Sequence, residues 1–348
     1  IRDKFSYFAD GYRFHPAYKS KFWDGKIRMV NESGVFNLGL AADIVEFCGQ
    51  WNQAYKVDPQ IRKFSLDAGK FQQFVDKLDV HDDGDKIDPY DYQVVAAHHA
   101  LEHQRCILLS PTSSGKSLIQ YLLVHMYQKL IPDDQMLMVV PTVALVSQMK
   151  NDFKNYATEI EWDADDEIHG ITSGVSKETD KRVVISTYQS ISKMPPEYFH
   201  KFKAVMVDEV HTASSKSVIK IVEACINAPW RVGLTGTLDE SKTNEMTLKS
   251  LFGGVFTVIT TKELMDMGKV ANLKIQVGIV NHTEADCKFM RSSPRGAVDE
   301  STGVASRRKA TYAEEIDFIV NHKERNRFLM RLVAGLSGNS ILMINQVE

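Results

Sequence analysis

Cys106-Ile107-Leu108-Leu109 runs into Ser110-Pro111-Thr112-Ser113-Ser114-Gly115-Lys116-Ser117, and Leu118-Ile119-Gln120-Tyr121-Leu122-Leu123 follows at helical spacing. The order is an apolar strand, a tight loop, then a helix. Such a turn aims backbone N–H groups and the positive end of a helix at one anion. Lys116 can then reach a β- or γ-phosphate, and the Ser117 hydroxyl can hold Mg²⁺. The pattern normally opens on glycine, whereas this chain has Ser110.

A second apolar run, Ala204-Val205-Met206-Val207, ends on Asp208-Glu209. In a parallel sheet the carboxyl ends of the strands form the ligand crevice, even for strands far apart in sequence. The two strands are expected to end side by side, with Asp208 holding the Mg²⁺ shell and Glu209 polarising the water that attacks the γ-phosphate. Two acids after a strand also serve as an ordinary helix N-cap, so it is the combination with the loop that points to nucleotide hydrolysis.

Outward from these motifs, apolar runs alternate with helical segments from Ile87 to about Val280. Strands are expected at 106–110, 136–140, 183–186, 204–208 and 231–235, with helices near 92–103, 116–130, 143–155 and 215–227. This alternation predicts an α/β, doubly wound parallel sheet. Residues 81–86, His-Asp-Asp-Gly-Asp-Lys, read as a polar hinge. Residues 291–311 are poor in apolar side chains and are expected to be a mobile loop. A helical stretch is expected from Tyr312 to Leu336, broken near Asn321, and 340–344 reads as a further buried strand. The expected division is a small N-terminal nucleic-acid-binding α/β domain over 1–84, a nucleotide-binding domain over 85–282, a loop and helical linker over 283–338, and over 339–348 the first strand of a truncated second lobe.

Composition narrows the class. The chain has 348 residues, 43% hydrophobic and 25% charged, with a formal net charge of −3. That balance is ordinary for a globular protein and does not advertise a polyanion binder, so any nucleic-acid surface must be local. The four cysteines show no zinc spacing, and burial of Cys106 and Cys225 as free thiols points to a reducing compartment. No apolar run approaches the ~18 residues needed to span a bilayer, and no leader peptide is visible; a cytoplasmic protein is expected.

Three further runs end in polar residues at the same crevice: Val139-Val140-Pro141-Thr142 through Gln148, Ile185-Ser186-Thr187-Tyr188-Gln189-Ser190, and Gly233-Leu234-Thr235-Gly236-Thr237. Singly, each is an N-cap or a turn. In series, with the loop before and the acids between, they resemble the helicase motifs of superfamily 2. Ser110–Ser117 is similar to motif I, Pro141–Gln148 to motif Ia, Thr187–Ser190 to the Ib/Ic region, Asp208–His211 to motif II and Thr235–Thr237 to motif III. Tyr92-Gln93 resembles the upstream glutamine element. Ala9-Asp10-Gly11-Tyr12-Arg13-Phe14-His15-Pro16 and Phe22-Trp23-Asp24-Gly25-Lys26-Ile27-Arg28 narrow this to the UvsW-type helicases of T-even-like phages, near the XPB and RecG groups. Ser110 and the Val210 of Asp-Glu-Val-His depart from the pattern, and neither removes a group that hydrolysis needs.

The resemblance implies a RecA-like fold, ATP and Mg²⁺ as cofactors, and DNA as partner: single-stranded tracks, branched duplexes and RNA–DNA hybrids, handled by a monomer in the host bacterial cytoplasm. It implies that Pro111, Thr112, Ser113, Ser114, Gly115, Lys116 and Ser117 bind ATP, that Gln93 reads adenine, and that His211 links the nucleotide to Thr235, Gly236 and Thr237. Pro141, Thr142, Gln148 and Thr187 would line the DNA track. The resemblance also implies arginine fingers from a second lobe, without which this piece would bind ATP and hydrolyse it poorly. A restriction-enzyme motor, an RNA helicase and a non-catalytic ATP-gated switch are the alternatives, and Glu209 argues against the switch.

Residues 1–30 carry Arg2, Lys4, Arg13, Lys19, Lys21, Lys26 and Arg28 against Asp3, Asp10 and Asp24, interleaved with eight aromatic rings. Basic and aromatic side chains suit backbone attraction and base stacking. Most of the rings are expected in the domain's own core, with Arg13, Lys19, Lys21, Lys26 and Arg28 on a DNA-facing side.

Overall fold

Alternate residues of one strand, Gln135–Val140, face two different hydrophobic cores, and that single strand defines the architecture. Met136, Met138 and Val140 pack into one core, Leu137 and Val139 into the other. The computed structural model describes residues 1–58, 64–211, 216–238, 242–271, 281–298 and 305–337. Among the described residues, no helix is long and apolar enough to cross a membrane.

The chain opens with β1 (Ser6–Phe8), α1 (Pro16–Lys19), β2 (Lys26–Arg28), α2 (Ala41–Gln50) and α3 (Ala68–Asp76). A tight hairpin, β3 (His81–Asp82) and β4 (Asp85–Lys86), leads to α4 (Asp91–His103). Then come β5 (Arg105–Leu109), α5 (Lys116–Leu130), β6 (Gln135–Val140), α6 (Val143–Tyr156), α7 (Ala164–Glu167), β7 (Ile168–Ile171), β8 (Val183–Thr187) and α8 (Tyr188–Ile191). β9 (Phe202–Val207), α9 (Lys216–Ala224), β10 (Trp230–Thr235), α10 (Lys242–Phe252), β11 (Gly254–Thr257) and α11 (Thr261–Asp266) complete the first unit, residues 1–272.

Seven parallel strands lie in the order β11-β5-β10-β9-β6-β8-β7. α3, α4, α5 and α6 cover one face, and α8, α9 and α10 the other, giving the expected doubly wound RecA-like sheet. The five expected strands are present. β7 and β11, the two edges, were not foreseen, because each is only four residues long. One expectation is corrected: β5 and β9 are not neighbours, since β10 lies between them.

The expected hinge at 81–86 is instead a hairpin, turned by Asp83 and Gly84 at φ +49° and +89°. The sheet core also reaches back before residue 84: Phe71, Val75, Leu78 and Val80 pack with it. The first residues keep a small core of their own, Phe5, Val30, Leu40, Ile44 and Cys48. Contrary to expectation, Phe5 is the one buried ring among residues 1–30, while Phe14 is 79% and Phe22 94% exposed.

This small module is seated on α10. Tyr7 Oη lies 2.8 Å from Thr247 Oγ1. A Cβ at Gly39 would sit 2.3 Å from Lys249 O and 2.5 Å from Ser250 O. Gly39 is therefore glycine because backbone meets backbone there.

The second unit, residues 273–348, contains α12 (Glu284–Arg291), β12 (Ser293–Val298), β13 (Ala305–Arg308), α13 (Tyr312–Val320) and α14 (Lys323–Ala334). β12 and β13 pair as an antiparallel hairpin within the segment expected to be a loop. Hydrogen-bonded ladders supply order that composition does not advertise. The expected break near Asn321 is present: Asn321 ends α13, and the His322 side chain caps α14. The strand expected at 340–344 lies outside the described residues.

Candidate nucleotide site

The loop after β5 closes on itself before it meets any ligand. Ser110 Oγ and Ser114 Oγ are 2.6 Å apart, Ser114 Oγ donates to Pro111 O at 2.5 Å, and Ser110 N–H donates to Thr235 O at 2.8 Å. Ser110, in the place of the usual glycine, is fully buried and braces the loop. Ser113 and Gly115 take φ of +66° and +78°, so the chain can wrap and then enter α5 at Lys116.

Gln93 sits beneath this loop. Its Nε2 donates to Ser114 O at 2.9 Å, and its Oε1 accepts from Tyr90 N–H at 2.9 Å. A Cβ on Gly115 would fall 2.2 Å from that Nε2. The residue expected to read adenine thus has both ends of its amide bound to protein and is 3% exposed; it is a brace of the phosphate loop. Tyr92 Oη adds a second bond to Ser114 O at 3.2 Å.

β10 separates the strands carrying Lys116 and Asp208-Glu209, yet their side chains meet. Gly233 of β10 makes the room: its missing Cβ would lie 3.1 Å from both Val210 methyls, so the Asp-Glu-Val-His turn folds down over the strand. Glu209 takes φ +48°, a left-handed conformation costly for a residue with a Cβ. That turn brings Glu209 Oε1 to 3.2 Å from Lys116 Nζ.

Asp208, beside it, is mostly buried, and its Oδ1 accepts no hydrogen bond from any described residue. Burial, then repulsion from Glu209, push its carboxyl above the usual carboxylate range, with Lys116 pulling the other way. A buried carboxylate oxygen without a donor is costly unless a cation or donor arrives. Ser117, Asp208 and Glu209 line one cleft of about 360 Å³ with Pro111, Thr112, Ser113, Gly115 and Lys116. Their oxygen-only donor set is the chemistry that suits Mg²⁺ beside phosphates.

Motif II also reaches motif III. His211 Nδ1 lies 2.7 Å from Thr235 Oγ1 and 3.2 Å from Glu209 Oε2. Thr235 donates its own proton to Thr237 O at 2.7 Å, so its oxygen accepts and His211 Nδ1 carries the hydrogen. Gly236 lies beside the loop, where a Cβ would make ordinary contact with Ser110 O and Lys116 Nζ.

Two different family models match, in separate stretches. Residues 1–58 match the model of the N-terminal region of DNA helicase UvsW, and residues 86–240 match the type III restriction enzyme res subunit. Over 356 aligned residues the chain is 35% identical to the ATP-dependent DNA helicase uvsW of Enterobacteria phage T4, covering all of this chain and 66% of that protein. The crystal structure of the T4 UvsW helicase superposes with a TM-score of 0.68 at 36% identity, covering 74% of this chain and 91% of the other. The chain belongs to the UvsW helicase family. A more distant relative, a DNA 3'-5' translocase XPB2 of Sulfurisphaera tokodaii, is 29% identical over 205 residues, 59% of this chain and 43% of its own length. The chain thus spans just under two thirds of the T4 relative and less than half of the archaeal one.

The residues expected to contact DNA are more scattered in this UvsW-family chain. Gln148 lines the same cleft as Lys116 and Glu209, with Leu145, Met149 and Asp152 of α6. The Thr187 hydroxyl is buried and caps α8, accepting from Ser190 N–H at 3.3 Å. Thr142 caps α6 through Leu145 N–H at 3.3 Å and, with Pro141, stays at the surface. In the N-terminal module Arg28 is paired with Asp24 and Asp3, Arg13 lies over the Tyr12 ring and Lys26 over the Phe8 ring, while Lys19 and Lys21 are exposed. Sequence reasoning missed Gln120, Met149 and Asp152 as cleft residues. An α6 face with Leu145, Gln148, Met149 and Asp152 at helical spacing was the available signal.

Proposed function

We propose that this protein is an ATP-driven DNA helicase that remodels branched DNA: fork regression, Holliday-junction migration, and dissociation of displacement loops and RNA–DNA hybrids during phage recombination, repair and replication. It would act as a monomer in the host cytoplasm. The observation that supports the reading best is the convergence of Lys116, Glu209 and Asp208 on one oxygen-rich cleft beneath a preformed phosphate loop.

In this reading the loop amides from Thr112 to Ser117 and the Lys116 ammonium hold the β- and γ-phosphates of ATP. Ser117 and Asp208 hold Mg²⁺, which when bound neutralises phosphate charge and orients the terminal group. Glu209 accepts the proton of the attacking water. His211 and Thr235–Thr237 carry the state of the γ-phosphate toward the DNA track at Pro141 and Thr142. Exposed Lys19, Lys21, Phe14 and Phe22 grip the duplex or junction, where phosphate contacts position without reading sequence.

The test is ATPase of the full-length protein with single-stranded, duplex, forked and RNA–DNA substrates side by side, together with fork regression by gel. Forked DNA stimulating most, with regression, is expected. Stimulation by RNA alone, or equal stimulation by every polynucleotide without regression, would overturn the reading.

A further inference from the structure

Ser117 has a partner that the nucleotide chemistry does not account for. Its Oγ lies 2.9 Å from the hydroxyl of Tyr156, the last residue of α6. Tyr156 is 8% exposed, and its ring stands edge-on to Tyr121 at 5.4 Å between centroids. The same helix supplies Gln148, Met149 and Asp152 to the cleft wall. α6 is therefore a side of the nucleotide site, and Tyr156 is the point at which it touches the metal-binding hydroxyl.

A serine that gives an oxygen lone pair to a divalent cation needs an acceptor for its own proton, turned away from the ion. A ligand whose outer partner is fixed is held in one rotamer, and such outer partners commonly influence metal affinity 10–100-fold. A neutral phenol oxygen accepts the serine proton without adding charge beside the carboxylates.

We propose that Tyr156 is a positioning residue for Mg²⁺–nucleotide: it accepts the Ser117 hydroxyl proton and so points the serine lone pair into the cleft. The inference rests on Ser117 binding Mg²⁺ as read above.

The test is the binding of a fluorescent ATP analogue to the chain, titrated with Mg²⁺, for the wild type, Tyr156→Phe, Tyr121→Phe and Ser117→Ala. Tyr156→Phe keeps the ring and removes the acceptor. Tyr121 is the control, because its hydroxyl is buried in the same cluster with no hydrogen-bond partner among the described residues. The expected result is apparent Mg²⁺ affinity about 10-fold weaker in Tyr156→Phe, unchanged Mg²⁺-free nucleotide binding, and no effect of Tyr121→Phe. A Mg²⁺ titration of Tyr156→Phe that overlays the wild type, or an equal loss in Tyr121→Phe, would overturn the proposal. A Ser117→Ala titration that also overlays the wild type would instead remove the assignment of Ser117 to the metal. Thermal unfolding of each variant reports whether the fold is kept.

Discussion

Lys116 Nζ and Glu209 Oε1 stand 3.2 Å apart although a whole strand, β10, lies between the strands that bring them there. The cation and the carboxylate to which we assign phosphate binding and water activation are thus partners of one another. Any phosphate that enters competes with Glu209 for the ammonium.

Replacing that carboxylate separates binding from chemistry. Glu209→Gln frees Lys116 from an opposite charge and removes the proton acceptor. ATP affinity is expected to hold or to rise a few-fold, while DNA-stimulated hydrolysis falls by roughly 10²–10⁴-fold. Lys116→Ala is expected to lose both. Equilibrium binding of labelled ATP beside phosphate release distinguishes the two patterns, and parallel losses in both variants would contradict the pairing.

Asp208 sets a second, opposite test, on stability. Its folded pKa is raised, so between the ordinary carboxylate value and the raised one the folded state holds a proton that the unfolded chain has lost. The group therefore costs nothing in acid and becomes destabilising as pH rises through that window. Asp208→Asn is expected to raise the metal-free melting temperature at neutral pH, by the equivalent of about 1–3 kcal/mol. It should also forfeit the stabilisation that Mg²⁺–ATP gives the wild type. Calorimetry with and without the nucleotide reads both effects.

His125 works in the other direction. It is buried with its Nε2 unpartnered among the described residues, its ring 4.7 Å from that of Trp162, and burial lowers its pKa to about 4, with Arg182 contributing. The unfolded chain takes up the proton first, near 6.5, so stability is full above that value and falls as pH drops toward 4. The loss amounts to about 3 kcal/mol by the end of the window. His125→Leu should flatten this limb of a urea-midpoint-versus-pH curve between 6.5 and 4; an unaltered slope would refute the assignment.

At the N-terminal module, charge and stacking can be pulled apart. Reversing Lys19 and Lys21 to Glu removes phosphate contacts, so log affinity should depend less steeply on log salt, by roughly 2 in slope for two contacts. Phe22→Ala should weaken binding by about 1–3 kcal/mol if a base stacks on this 94% exposed ring, and leave the slope unchanged. Fluorescence anisotropy on a forked DNA at several salt concentrations measures both.

Strands whose residues are buried on both faces were legible in sequence, because they are mostly continuous apolar runs: β5, β6, β8, β9 and β10 all lie inside the sheet. The edge strands β7 and β11 carry half-exposed residues such as His169 and Phe256 and left no such run. The loop after β5 and the acids after β9 stood out in sequence as a pair, and the structure brings Lys116 and Glu209 together. That β10 runs between them was not legible, because strand order depends on crossovers that no local pattern records. Gln93 and Thr187 show the same limit at the level of side chains. Their types suit nucleotide or DNA contacts, but the backbone groups that an amide or hydroxyl also bonds cannot be named before the fold is seen.

Gly39 fixes how the first part of the chain can move. Bare backbone is pressed on Lys249 and Ser250, and α10 is in turn packed through Leu251 and Phe252 in the core that holds Ile107 of β5, so one packed route joins the two. A displacement of β5 is expected to reach the β1–β2 hairpin through this packed route. Within residues 1–272 the aromatic, basic tip is therefore expected to move as a fixed tooth on the sheet, not as an arm swinging from it.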